Sequence, residues 1–173
     1  MNWNWDRLYK VRLLYGCMGV KYKIYIAGDH AGFVLKNKIG AWLEKGGYRV
    51  EDIGPFEYKK DDDYPDYAIP LAKKVAKDKG SFGLVIAGSG IGECIAANKV
   101  KGIRAVLFHG KSRKVLEISR KNDDANVLCF GAWFVNEKEA KKAVGLWFGT
   151  GFSGALRHKR RLRKIERFEH RKV

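Results

Sequence analysis

The stretch FGLVIAGSGIGECIAANKV, residues 82–100, runs from an apolar segment without polar interruption into three glycines that alternate with other residues, then a glutamate, then a helical pattern. A short segment that is apolar on both sides of the chain belongs to a strand covered on both faces, and such strands build parallel sheets joined through helices. The same unit recurs on either side. YKIYIAG (22–28) reads as a buried strand, and the helix expected over 31–47 carries Leu35, Ile39, Trp42 and Leu43 on one face and stops at a glycine pair. A strand over 48–54 and a helix over 65–80 follow, the helix bent or reset by Pro70. Beyond the short helix at 92–100 come a strand (103–109), a helix (111–122), a last clear strand (126–132) and two closing helices, 136–149 and the basic tail. Five strands of this kind, each followed by a helix, predict an α/β protein with one parallel sheet covered on both faces.

A chain of 173 residues with 46% hydrophobic and 31% charged residues suits one soluble globular domain. No apolar run approaches the ~20 residues of a membrane span. Residues 1–20, with an acid at Asp6, make a poor signal peptide. They read as a disordered or loosely docked extension, or as sequence upstream of a start at Met18, with residues 21–173 forming the single domain. Cys17, Cys94 and Cys129 are odd in number and show no CxxC, which argues against a disulfide framework or zinc site and fits a reducing cytoplasm. The net charge of +16 sits partly in the tail from Arg157 onward and partly on helix surfaces.

Ligands of such sheets lie beyond the carboxyl ends of the strands. Two ends stand out: AGDHAG after the first strand and AGSGIGE after the third, both placing glycine amides at a helix N-terminus. GSGIGE is no dinucleotide fingerprint, because its third glycine would fall at Glu93, and no G-K-[ST] makes it a P-loop. Taken alone it is a tight turn that needs glycine φ values, with Glu93 as a first-turn acid. Asp29 reads equally as a helix cap or a functional acid, and His30 as a surface or a ligand-binding histidine. Arg157 and Arg161, four apart, share a helix face that suits a phosphate, or belong to a solvated basic face like the rest of the tail.

Together, GDHAGFVLK, DYPDYA, GSGIGECIAANKVKGIRA, NDDANVL and RHKRRLRKI, in this order, resemble the ribose-5-phosphate isomerase B family, which includes the galactose-6-phosphate isomerase subunits. The resemblance runs from about Lys21 to about Phe168. It implies a Rossmann-like three-layer sandwich with a C-terminal basic helix, and a homodimer with sites at the subunit interface, with a tetramer as a further option. It also implies aldose–ketose isomerisation of a sugar phosphate with no metal or cofactor. Many members carry a cysteine base where Ala87 stands here; this chain resembles the subgroup with a glutamate after the glycine turn, which is Glu93. On that resemblance Glu93 is the base for a cis-enediolate, the amides of Gly88, Gly90 and Gly92 with the Ser89 hydroxyl form the oxyanion hole, and Cys94 is core. Asp29 assists ring opening, His30, Arg157 and Arg161 bind phosphate, and Tyr64 lines the sugar pocket.

Two departures from the family matter. The family usually has His-Asn ahead of DANVL, where this chain has Asn122-Asp123. Asn122 hydrogen-bonds but cannot shuttle the proton of ring opening, for which Asp123 is the substitute at hand. The family also tends to place a phosphate-binding arginine where Trp133 stands. Slow isomerisation, another preferred phosphosugar, or a Trp133 stacked on a sugar face with tail cations replacing the arginine are the expectations that follow. The rival reading is a family-derived protein that binds anionic ligands or nucleic acid through its basic tail without turnover. It has the charge in its favour; against it, no reader motif is present, and Trp147, Phe148, Phe152 and Phe168 look like core rather than a stacking stripe.

Overall fold

The computed structural model describes residues 22–171, so the expected extension over residues 1–20 lies outside the described residues. Within them the chain alternates strictly: β1 (Lys23–Gly28), α1 (Phe33–Lys45), β2 (Arg49–Asp52), α2 (Pro65–Lys77), β3 (Phe82–Ala87), α3 (Ile91–Ala97), β4 (Ala105–Phe108), α4 (Arg113–Asp123), β5 (Val127–Gly131), α5 (Glu137–Phe148) and α6 (Leu156–Glu169). The strands form one sheet in the order β2-β1-β3-β5-β4, and every neighbouring pair is parallel. Since β1 and β3 are neighbours while their crossovers leave in opposite directions, a crevice opens between their carboxyl ends.

Side-chain alternation along the strands divides the core into two layers. Ile24, Ile26, Leu84, Ile86, Leu128 and Phe130 face one side, against Ile39 and Leu43 of α1, Leu116 of α4 and Val144 and Trp147 of α5. Tyr25, Ala27, Val85, Val127 and Cys129 face the other, against Ala68, Leu71 and Val75 of α2 and Ala97 of α3. At Gly83 a Cβ would come 2.6 Å from Leu71, so this glycine lets α2 lie close on the sheet.

The bounds of the expected helices shift by up to three residues. α3 stops at Ala97 rather than 100, where Asn98 turns its amide back onto the Cys94 carbonyl and the strand backbone of Ala105. α2 runs through Pro70 without being reset, because Pro70 sits on the exposed face, where the orphaned Asp66 carbonyl meets solvent. Phe168 corrects the expectation of a core aromatic: it is 73% exposed, whereas Trp147 is fully buried. Cys94 packs against the α2–α3 core layer but is only half-buried. α5 opens with a capping box between Asn136 and Glu139, which satisfies two first-turn donors reciprocally.

A buried lysine breaks the apolar pattern of α1. Lys36 of α1 is fully buried, and its Nζ donates to Asp52 Oδ2 (2.6 Å) and the Pro55 carbonyl (2.7 Å). That ammonium ties α1 to the end of β2 and to the loop leading toward α2. Asp52 keeps contact with water, so removing the lysine strands less charge than in a wholly buried pair. Lys36→Met is expected to lower stability by about 1–3 kcal/mol, read as a shift of the urea midpoint with unchanged slope.

Candidate active site

The first half of the site is backbone packing. The turn after β1 is laid directly on the end of β3: the Asp29 N–H donates to the Ile86 carbonyl (3.3 Å), and a Cβ on either Gly28 or Gly32 would overlap that same carbonyl. Asp29 Oδ1 accepts from the Gly32 N–H (2.8 Å), so Asp29 does cap its turn. It is also buried, and its carboxylate faces Glu93 across the crevice.

Glu93 sits in the first turn of α3 and is only 4% exposed. Burial pushes its carboxyl up to about 6; its own backbone N–H pulls it back, and the charge of Asp29 raises it again. A buried carboxylate titrating there, beside the N–H groups of a helix start that lack intrahelical acceptors, can take a proton from a weakly acidic carbon and leave the resulting anion among donors.

Each glycine of the turn makes room for a neighbour. A Cβ on Gly88 would strike the indole of Trp133, and the Trp133 backbone N–H donates to the Gly88 carbonyl (3.1 Å). Gly90 has φ of +73° and lies against the Phe130 carbonyl, which only a residue without a Cβ tolerates. A Cβ on Gly92 would come 2.6 Å from the ring of Tyr64, so the tyrosine covers the turn from the loop before α2. Ser89 Oγ accepts from the Ile91 N–H (3.2 Å) and keeps its own proton to donate. Trp133 is 70% exposed and stands at the mouth.

His30 adds a cation. Its Nδ1 and its backbone N–H both reach Asp62 Oδ1, at 2.7 and 3.1 Å. That hydrogen bond holds the imidazole pKa above its ordinary value, with the Asp29 and Asp61 charges adding to it and burial opposing. Sequence reading passed over Asp62, one of three consecutive aspartates that differ only in where the loop points them. It also passed over His109, at the end of β4, whose Nε2 lies 2.8 Å from the Ser89 carbonyl.

The remaining candidates stand at the other end of the molecule. Asn122 and Asp123 close α4 just before β5 begins, and Arg104 Nε binds the Asp123 carbonyl there. The Ser153 N–H donates to the Lys121 carbonyl, which brings the start of α6, with exposed Arg157 and Arg161, to that same amino edge. Strands rise roughly 3.3 Å per residue, so the six residues of β3 put about 20 Å between this edge and Glu93. The candidate residues therefore fall into two groups: Asp29, His30, Tyr64, Ser89 and Glu93 on one edge, and Asn122, Asp123, Arg157 and Arg161 on the opposite one. Among the described residues no group of three or more His, Cys, Asp or Glu is placed to hold a metal ion.

Comparison with known proteins places this arrangement. The profile of the Ribose/Galactose Isomerase family matches residues 24–165. A probable ribose-5-phosphate isomerase B of Mycoplasma genitalium is 42% identical over 151 residues, 87% of this chain and 97% of the relative. Ribose-5-phosphate isomerase B of Escherichia coli is 39% identical over 150 residues, 87% of this chain and 98% of the relative. The crystal structure of the Mycoplasma genitalium enzyme with bound ribulose-5-phosphate superposes with a TM-score of 0.83 at 41% identity, covering 89% of this chain and all (100%) of that one. With the parallel sheet, the glycine turn and these relatives in agreement, the chain belongs to the ribose/galactose isomerase family.

Proposed function

We propose that this protein interconverts an aldose phosphate and a ketose phosphate, ribose 5-phosphate and ribulose 5-phosphate foremost, through a cis-enediolate in the cytoplasm. The observation that carries the reading is the buried Glu93 carboxylate at the exit of the glycine turn, titrating near 6. Glu93 takes the proton from C2 (or C1) of the open-chain sugar and returns it to the neighbouring carbon. The amides of Gly88, Gly90 and Gly92 and the Ser89 hydroxyl receive the charge that develops on oxygen. Asp29 meets the ring oxygen or O1 during opening, Tyr64 walls the sugar, and His30 pairs with the phosphate.

The half-site around Glu93 is rich in carboxylates, with Asp29, Asp61 and Asp62 beside a single histidine. A dianionic substrate needs more cations than this edge supplies. A twofold dimer that sets the carboxyl edge of one copy against the amino edge of the next supplies them twice over: Arg157 and Arg161 of the second copy reach the phosphate, and its Asn122 and Asp123 reach the ring. In support, Ile91 and Ile95 of α3 and Leu156, Ile165 and Phe168 of α6 leave large apolar side chains in water on a single chain.

Three outcomes test the reading. Glu93→Gln is expected to lower kcat on ribose 5-phosphate by ~10²–10⁴ with little change in KM, and normal turnover by this variant would defeat the assignment. The wild-type rate is expected to fall on the acid side of about pH 6 as Glu93 takes up its proton, while KM rises on the alkaline side, above the ordinary histidine range, as His30 loses its charge. Finally, Glu93→Gln and Arg161→Ala are each expected to be nearly inactive as homodimers. Refolded together they regain activity, because one of the two sites in the hybrid is then built from unaltered halves; failure to complement would mean that each site is complete within one chain.

A further inference from the structure

His109 sits where the proposed oxyanion turn is held from behind. β4 ends at Phe108, and the next residue turns its ring toward β3, with Nε2 2.8 Å from the Ser89 carbonyl. A carbonyl oxygen only accepts, so Nε2 is the nitrogen that carries the proton. Three neighbours fix the ring. Phe134 packs on it with centroids 4.9 Å apart. Gly131 admits it: a Cβ there would come 2.7 Å from the Ser89 carbonyl oxygen, 2.8 Å from Phe134 and 3.0 Å from His109 Cδ2. Gly90, at φ of +73° against the Phe130 carbonyl and Leu107, lets the turn come this close to the ends of β4 and β5.

The consequence follows from peptide geometry. In a trans peptide the C=O and N–H point in opposite directions. The peptide joining Ser89 to Gly90 has its carbonyl drawn toward His109, on the β4–β5 side of the turn. Its N–H is therefore aimed to the other side, toward the β1–β3 crevice where Asp29 and Glu93 face each other. If that peptide rotated, the carbonyl oxygen would enter the crevice and oppose any developing oxyanion.

We infer that His109 is a positioning residue for proton transfer: by donating to the Ser89 carbonyl it locks the Ser89–Gly90 peptide with its N–H toward the enediolate oxygen. The inference rests on the isomerase reading for its kinetic consequence and on the structure alone for the orientation of the peptide. It concerns a group that never touches the sugar, so it acts on the transition state and leaves ground-state binding alone.

The test compares His109→Leu, which removes the donor, with His109→Gln, whose amide nitrogen restores one near the position of Nε2. Removal of a single oxyanion donor costs ~10²–10³ in kcat, and loss of its orientation is expected to cost about tenfold or more in His109→Leu, with KM within about twofold. Affinity for a hydroxamate mimic of the enediolate should fall in parallel, affinity for inorganic phosphate should not, and His109→Gln should recover most of both losses. A second measurement needs no turnover: the Gly90 amide resonance of the full-length protein is expected to move, and its hydrogen exchange to quicken, in His109→Leu but not in His109→Gln. An unmoved Gly90 amide, a kcat unchanged in His109→Leu, or a loss shared equally by phosphate binding and unrelieved by glutamine would each overturn the inference. Absence of wild-type turnover on any sugar phosphate would instead remove the isomerase reading, leaving the amide measurement to decide the role of His109 in shaping the turn.

Discussion

The site is organised around the carbonyl of Ile86. It is the last buried carbonyl but one of β3, and the turn after β1 is pressed onto it so closely that neither Gly28 nor Gly32 has room for a side chain. The Asp29 N–H closes the contact. A methyl group at either glycine would lift the turn, and the two carboxylates that face each other across the crevice would separate. Parallel packing of β1 and β3 supplies the crevice, and the missing side chains supply its narrowness. The glycines after β3 continue the same logic, one yielding to Trp133, one to the Phe130 carbonyl and one to Tyr64.

That closeness has an electrostatic consequence. Asp29, Asp62 and Glu93 crowd one edge, and the chain's surplus of positive charge lies elsewhere, much of it on α6 at the other end of the sheet. In the proposed dimer this separation would be useful, because the joined edges would present acid, base and phosphate anchor together. In the proposed site, exposed Trp133 brings no cation to the mouth of the crevice, which would leave the phosphate to His30 and the tail. The His30–Asp62 pair answers part of that demand, because the carboxylate keeps the imidazole charged beyond the ordinary histidine range.

What the sequence revealed and what it hid divides along physical lines. The strands were legible because burial on both faces leaves an apolar run with no competing pattern, as in residues 82–87. The places of Asp29 and Glu93 beyond the ends of β1 and β3 were legible from the strands ahead of them, whereas their roles were expected from the family resemblance alone. The turn from α4 into β5 could be placed at Asn122 and Asp123, but nothing in their neighbourhood in sequence says that they lie a whole sheet away from Glu93; only the strand direction does. Lys36 was hidden because a lysine in a helix normally marks the wet face, and its two acceptors, Asp52 and the Pro55 carbonyl, come from a segment with no local signal. His109 was hidden for a related reason: its meaning resides in a carbonyl 20 residues away, and backbone acceptors leave no trace in side-chain chemistry. The early C-terminal end of α3 reflects Asn98, whose side chain competes for the backbone better than another helical turn does.

Two carboxylates in one crevice need different environments if they are to play different parts. Asp29 has its Oδ1 held by the Gly32 N–H, an interaction built into the turn itself. Glu93 has less of this support: burial and the facing charge both work against its ionisation, and its own N–H opposes them only in part. Glu93, the side chain next to the glycine turn, is thus held above the ordinary carboxylate range. The asymmetry arises from which of the two acids caps a turn and which stands in the first turn of a short helix, and so it is set by the fold before any substrate arrives.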